Sequence, residues 1–256
     1  MKTTKIFILA GTVLLTVISS AFISPKNSNS PKVAANNGFA VIELYTSEGC
    51  SSCPPADAVV AKLEKESAGK SIYILAYHVD YWNNLGWRDV FSDADYSKRQ
   101  KEYAQYLKIS SVYTPQIVVN GKTEFVGSEE NTLLTAINTA LQKEAPSQLT
   151  LANMQQSRGH LLVHYDAKNT GNHSALLLAL VQKTAQSTVN AGENKGRLLS
   201  HVQIVRQLQT VALTNNQTGT EKIILPNEFT PKNWEIIGFI QNTSTGEITG
   251  AARADF

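Results

Sequence analysis

Phe39-Ala40-Val41-Ile42-Glu43-Leu44-Tyr45-Thr46-Ser47-Glu48-Gly49-Cys50-Ser51-Ser52-Cys53-Pro54-Pro55-Ala56-Asp57 holds the decisive pattern of this 256-residue chain. The run Phe39 to Tyr45 is apolar, β-branched and aromatic, which suits a buried strand. Thr46 to Gly49 turns the chain. Pro54-Pro55 suits a first helical turn, where proline's missing N–H would go unused anyway. A helix is expected from Pro54 to about Ser67, because Ala56, Val59, Val60 and Leu63 fall at helical spacing and Gly69 is a plausible stop. The chain's only two cysteines thus sit between a strand and a helix.

Working outward, Ile72 to Val79 reads as a second apolar strand and Tyr96 to Leu107 as a charged helix. Tyr113-Thr114-Pro115 leads into the run Gln116 to Val119, then Asn120-Gly121, then Lys122 to Val126, and Asn-Gly between β-prone runs is a strong hairpin signal. Glu129 to Lys143 reads as a helix with Leu133, Leu134, Ile137 and Leu141 on one face. The order is strand, C-x-x-C helix, strand, helix, proline, hairpin, helix.

Beyond Pro146 the texture changes to short β-like runs at Gln148 to Leu151, His160 to Asp166, Ala175 to Lys183, Val202 to Leu213, Glu221 to Leu225, Trp234 to Gln241 and Glu247 to Ala254. Several short strands with turns between them suggest an antiparallel sandwich, and Leu161, Val163 and Tyr165 alternate as a sheet with one wet face requires. The polar stretch Gly192-Glu193-Asn194-Lys195-Gly196-Arg197 reads as a solvated loop whose charges could touch the first half or a partner. His160, His164, His173 and His201 show no ligand spacing and are expected to be surface or satisfied sheet residues.

Charge excludes one class of function. Twenty-three Lys plus Arg face 21 Asp plus Glu and are scattered, which gives no basis for nucleic-acid binding. The N-terminus has Lys2 and Lys5, an uncharged stretch Ile6 to Ile23 and a small-x-small candidate at Ser19-Ser20-Ala21. This reads as a signal peptide or uncleaved anchor over residues 1–24, followed by a polar linker over 25–38. Either reading exports the rest, to periplasm or medium, with membrane attachment only if the segment is uncleaved. The remaining chain is then expected to divide at 39–145 and 146–256.

Closing so small a ring stabilises a fold by only about 2 kcal/mol, against about 4.7 kcal/mol for a 100-residue loop. Stability is therefore a weak reason for the pair, and in an exported protein it can cycle between dithiol and disulfide. Cys50, before the helix, is the candidate nucleophile, favoured as thiolate by the helix start. Cys53 is the candidate resolving thiol. No cofactor or metal is expected, and the partners are protein, peptide or small-molecule thiols and disulfides, including an electron-exchange partner.

The segments Leu44 to Asp57, His78-Val79-Asp80-Tyr81-Trp82 with Leu85-Gly86-Trp87, and Tyr113-Thr114-Pro115-Gln116 resemble the thioredoxin-like superfamily over Phe39 to Lys143. More narrowly they are similar to an exported bacterial family catalogued as domain of unknown function twelve twenty-three. The resemblance implies an α/β thioredoxin-like domain with a C-terminal all-β, sandwich-like domain. It implies that Pro115 is a cis-proline facing the C-x-x-C, with Thr114 offering backbone to an extended substrate. Trp82 and Trp87 are candidates for a peptide-binding wall, and His78 or Asp80 for a proton relay to Cys53. Two other readings of these residues stand beside exchange: a binding module whose disulfide only braces the helix start, and a copper or zinc metallochaperone using Cys50, Cys53 and His78, with Asp80 as a further ligand candidate.

Overall fold

The Asn120-Gly121 turn shows how the two halves of the chain meet. Both residues have positive φ, 49° and 66°, as a tight hairpin demands. The Asn120 side chain accepts from the N–H of Val41 and donates to the carbonyl of Phe39, while its carbonyl accepts from the N–H of Ile248. A Cβ on Gly121 would stand 1.9 Å from the carbonyl oxygen of Gly246, so glycine is required by contact as well as by φ.

The computed structural model describes residues 38–256, and these fall within one compact unit. The expected N-terminal segment and all of the expected linker but Gly38 lie outside the described residues. Strand β1 is Ala40–Thr46, helix α1 Pro54–Glu66, β2 Ile72–His78, α2 Ala94–Leu107, β3 Gln116–Val119, β4 Thr123–Val126 and α3 Glu130–Leu141. The second half gives β5 Gln148–Ser157, β6 His160–Lys168, β7 Ser174–Thr188, β8 Leu198–Ala212, β9 Gln217–Ile224, β10 Trp234–Asn242 and β11 Ile248–Asp255.

Eight of these strands make one mixed sheet in the order β11-β10-β7-β8-β2-β1-β3-β4, and β5-β6-β9 form a second. The expectation of a thioredoxin-like α/β domain followed by a separate sandwich is corrected by this topology. Strand β8 lies parallel beside β2, with Ala76 opposite Ile204, so the second half extends the first half's sheet. The physical reason lies in β7 and β10. Ser174 to Val181 and Trp234 to Gln241 are buried at every position, a pattern that needs cover on both faces rather than one wet face.

That cover comes from two directions. Leu161, Val163 and Tyr165 of β6 pack with Leu176, Leu178 and Leu180 of β7 and Ile236 of β10. On the other face Leu177, Ala179, Ile237 and Phe239 join Val41, Tyr45, Leu75 and Tyr77, capped by Tyr96 and Tyr103 of α2. A third cluster packs α1 and α3 against β1 and β3 through Ala56, Val60, Leu63, Leu133 and Ile137.

One charged pair crosses this interior. Glu43 of β1 is fully buried and accepts from Arg99 of α2, Nε to Oε2 at 2.6 Å and Nη2 to Oε1 at 3.0 Å. Tyr103 donates to the same carboxylate at 2.5 Å, and Arg99 Nη1 donates to Gln241 of β10 at 3.0 Å. Removing one member of such a buried pair strands the other. Arg99→Ala is expected to lower unfolding free energy by about 3–5 kcal/mol, whereas the apolar double replacement Glu43→Leu with Arg99→Met should lose much less. Urea denaturation of the three proteins checks the order.

Candidate functional site

Cys50 and Cys53 form a disulfide with an S–S distance of 2.19 Å and Cα atoms 5.4 Å apart. Its local frame follows from sequence. The N–H of Cys50 donates to Ser47 and that of Cys53 to Cys50, while the carbonyl of Cys53 receives the first N–H groups of α1, from Ala56 and Asp57. Pro54 and Pro55 fill the opening helical positions. Both cysteines are fully buried although Ser51 and Ser52 between them are exposed.

The Thr114–Pro115 peptide bond is cis. Cys50 Sγ lies 3.8 Å from the carbonyl oxygen of Thr114 and 3.3 Å from Ser52 Oγ. Gly127 seats this segment, since a Cβ there would press within 3.1–3.2 Å of Ala56, Leu44 and Pro115. Helix α2 holds it from behind: Gln100 donates to the carbonyl of Tyr113 at 2.7 Å and to Gln116 Oε1 at 2.9 Å.

Both loop tryptophans reach this site. Trp82 Nε1 donates to Thr114 Oγ1 at 2.8 Å, and the Cβ of Trp82 lies against Gly49. Trp87 Nε1 donates to Glu48 Oε2 at 2.7 Å. The structure therefore brings together Cys50, Cys53, Thr114, Pro115, Trp82 and Trp87. Asp80 points elsewhere, accepting from Ser97 Oγ on α2 at 2.5 Å.

His78 belongs to a buried polar cluster on the inner side. Its Nδ1 is 2.7 Å from Asp89 Oδ2, which also accepts from the N–H of Glu48 at 2.8 Å. His201, on β8, stands 3.7 Å from both Glu48 Oε1 and Asp57 Oδ2. His78 Nε2, both ring nitrogens of His201 and Glu48 Oε1 have no hydrogen-bond partner in the protein. His201 is thus neither a surface nor a satisfied sheet residue. Nothing local in the sequence identified it, because only the β2–β8 pairing carries it beside residues more than 110 positions earlier. Among the described residues no group of three or more His, Cys, Asp or Glu side chains could hold a metal ion.

The electrostatics are those of an enclosed site. Burial opposes the imidazolium of His78, but Asp89 outweighs it and raises the pKa. Burial likewise pushes the Asp89 carboxyl up, while His78 and the N–H groups of Glu48 and Phe91 prevail and hold it below its usual range. Asp57 goes the other way: burial raises it, against the opposing influence of His201, His78 and the hydroxyl of Thr46.

The third element is the loop from Val189 to Arg197. Asn194 is buried, and its Nδ2 donates to the carbonyls of Glu48 and Cys50, each at 2.9 Å. Glu193 accepts from the N–H of Ser51 at 3.0 Å. Arg197 donates to Asn194 Oδ1, and Gly192 lies against Trp87. The sequence offered this stretch as a solvated loop with charges free to touch the first half; it lies directly over the cysteine turn.

The chain belongs to the family described as Protein of unknown function (DUF1223), which matches residues 41–241. Among solved structures, a crystal structure of a protein from Agrobacterium tumefaciens is similar at 26% identity, over 86% of this chain and 95% of that one, with a TM-score of 0.66. HBP35 of Porphyromonas gingivalis shares the fold at 15% identity, over 87% and 76% of the two chains, with a TM-score of 0.61. No curated protein matches.

The paired shifts of His78 and Asp89 fix a pH response. The raised His78 contributes stability that is present below its unfolded pKa and lost as pH rises through the folded one; the lowered Asp89 contributes stability that is lost as pH falls through its folded value. The pair's contribution should be fullest between about pH 4 and 6.5, the ordinary values of the two groups. Melting temperature followed against pH should decline on both sides of that window, and Asp89→Asn should flatten both limbs.

Proposed function

We propose that the protein exchanges thiols and disulfides through Cys50 and Cys53, acting on protein, peptide or small-molecule thiol partners in an exported setting. The observation that supports this best is the placement of the disulfide. It sits at a helix start, with Cys50 Sγ against the carbonyl of Thr114 and two loop tryptophans bonded to its flanks. The charged N-terminal residues followed by an apolar stretch support export.

In the reduced protein, Cys50 attacks a partner disulfide as thiolate, forming the Cys50–partner bond and releasing one partner thiolate. Cys53 then loses its proton and attacks Cys50 Sγ. The intramolecular disulfide forms, the Cys50–partner bond breaks, and the second partner sulfur leaves as thiolate. The proton of Cys53 goes to the buried cluster, in which Asp57 lies one helical turn beyond Cys53 and His78 and His201 face Asp57. Asp57 and His201 join His78 in that role, and Asp80 is left to orient α2. Thr114 offers the backbone against which an extended partner would lie, between Trp82 and the cysteine turn.

Two measurements test the reading. Cys50 should alkylate faster than Cys53 in the reduced protein and titrate below the free-thiol value of about 8.5, and Cys53→Ser should accumulate mixed disulfides on Cys50. Equal rates, an unshifted profile and no trapped partner would defeat it. Because Trp82 is bonded to the residue that Cys50 Sγ touches, relief of disulfide quenching should raise intrinsic fluorescence on reduction, and Trp82→Phe should remove most of that rise.

A further inference from the structure

An exchange site needs an accessible sulfur, yet Cys50 is fully buried. Thr114, Trp82 and the Val189 to Arg197 loop enclose it, and the first two are fixed by α2 and by each other. The loop is different. It is tied to the cysteine turn by two side chains, and it is braced within itself by backbone bonds from Gly196 to Val189, from Val189 to Arg197 and from Lys195 to Gly192. It can therefore leave as a unit.

We propose that this loop is a latch on Cys50, shut over the disulfide through Glu193 and Asn194 and released when Cys50 becomes a thiolate. Glu193 is its sensing residue. Its carboxylate occupies the N–H of Ser51, the amide immediately after Cys50, and the hydroxyl and N–H of Ser51 together lower its pKa. A disulfide is neutral and tolerates an anion there. Reduction by a dithiol breaks the Sγ–Sγ bond, forms the dithiol's own disulfide and leaves two thiols. Ionisation of Cys50 then releases one proton and sets a second negative charge beside Glu193, inside the screening length of about 8 Å in physiological salt. The two anions repel each other, and the exposed one, Glu193, is free to move to water.

The charges around this point favour release rather than accommodation. On the inner side stand Glu48, Asp57 and Asp89, with His78 and His201. The loop's own Lys195 and Arg197 are exposed, and Arg197 is engaged with Asn194. Arg206, stacked over Phe91, pairs with Glu228 and Gln182. No lysine or arginine among the described residues hydrogen-bonds to the cysteine turn. Asn194 makes the opposite contribution, since its two bonds to the carbonyls of Glu48 and Cys50 carry no charge and hold the loop in either state until the repulsion exceeds them.

The latch rests on the exchange reading only in requiring a reducible pair, and its test needs no turnover. Trypsin cuts after Lys195 and Arg197, and hydrogen exchange reports the Ser51 amide. Both should be slow in the oxidised protein and several-fold faster after reduction with dithiothreitol, at pH values where Cys50 is ionised and not below them. Glu193→Gln keeps the acceptor without the charge, so both rates should stay slow on reduction. In a Cys53→Ser background the same change should slow the alkylation of Cys50 several-fold at pH values where Cys50 is ionised, because the loop stays shut over the sulfur. Cys50→Ser with Cys53→Ser should remain slow with or without dithiol. Cleavage and exchange indifferent to redox state, or an unchanged redox response in Glu193→Gln, would overturn the latch; a responsive loop in a protein that exchanges with no partner would defeat the exchange reading alone.

Discussion

The ion pair between Glu43 and Arg99 is the constraint on which the arrangement turns. Two ions without water cost several kcal/mol apiece, and only a closely bonded partner set offsets that. Here the set comes from three elements: β1 gives Glu43, α2 gives Arg99 and Tyr103, and β10 gives Gln241, whose Nε2 donates to Tyr103 and to the carbonyl of Gly246. The bonds therefore form together only when α2 is docked and β10 has joined the sheet. The same Gly246 carbonyl stands against Gly121, so the network extends to the hairpin that precedes α3.

Helix α2 transmits that constraint to the cysteines. On its buried face Arg99 is fixed by the pair, and the adjacent Gln100 holds the carbonyl of Tyr113, one residue before Thr114. Ser97 holds Asp80, and the Tyr81 hydroxyl donates to Gln100, so the start of the tryptophan loop is anchored to the same helix. The segment bearing Pro115 and the loop bearing Trp82 are thus positioned by neighbouring residues of one helix. Their mutual bond, Trp82 to Thr114, closes the arrangement at 2.8 Å.

The sequence made the local pieces readable and left their assembly hidden. The three α-helices and four strands of the first half were read to within a few residues from apolar runs, helical spacing and turn residues, and the Asn120-Gly121 hairpin from two residues, because those signals depend on short-range sterics. The burial of β7 on both faces was not read, although Ala175 to Val181 is an unbroken apolar run, which a sheet with one wet face does not need. Alternation in β6 drew attention to the wrong sheet, since β6 does have one wet face and β7 does not. The parallel pairing of β8 with β2 could not be read, because it joins segments more than a hundred residues apart and shows a single register pair. The site followed the same division. Cys50, Cys53, Thr114, Pro115, Trp82 and Trp87 were visible as local phrases. Asp57 was visible in the same phrase as the cysteines without its partners, and His201, Glu193 and Asn194 owe their roles to that unread pairing.

The buried cluster explains why so much of the second half is committed to one small turn. Three carboxylates, Glu48, Asp57 and Asp89, and two imidazoles, His78 and His201, share an interior in which no lysine or arginine among the described residues hydrogen-bonds to them. The shifts within it oppose one another: burial raises Asp57 against the histidines, while burial and Asp89 act in opposite senses on His78, with Asp89 prevailing. Such a cluster is costly as scaffold, because a buried polar group without a partner loses about 1–3 kcal/mol, comparable with the whole entropic gain from closing a ring as short as Cys50 to Cys53. A turn kept only for stability would do better with apolar neighbours, such as those that pack around Leu44, Ala56 and Val60. In the proposed exchange the same groups have a purpose: those on the inner side would take up the proton of Cys53, and Glu193 on the outer loop would answer the charge on Cys50.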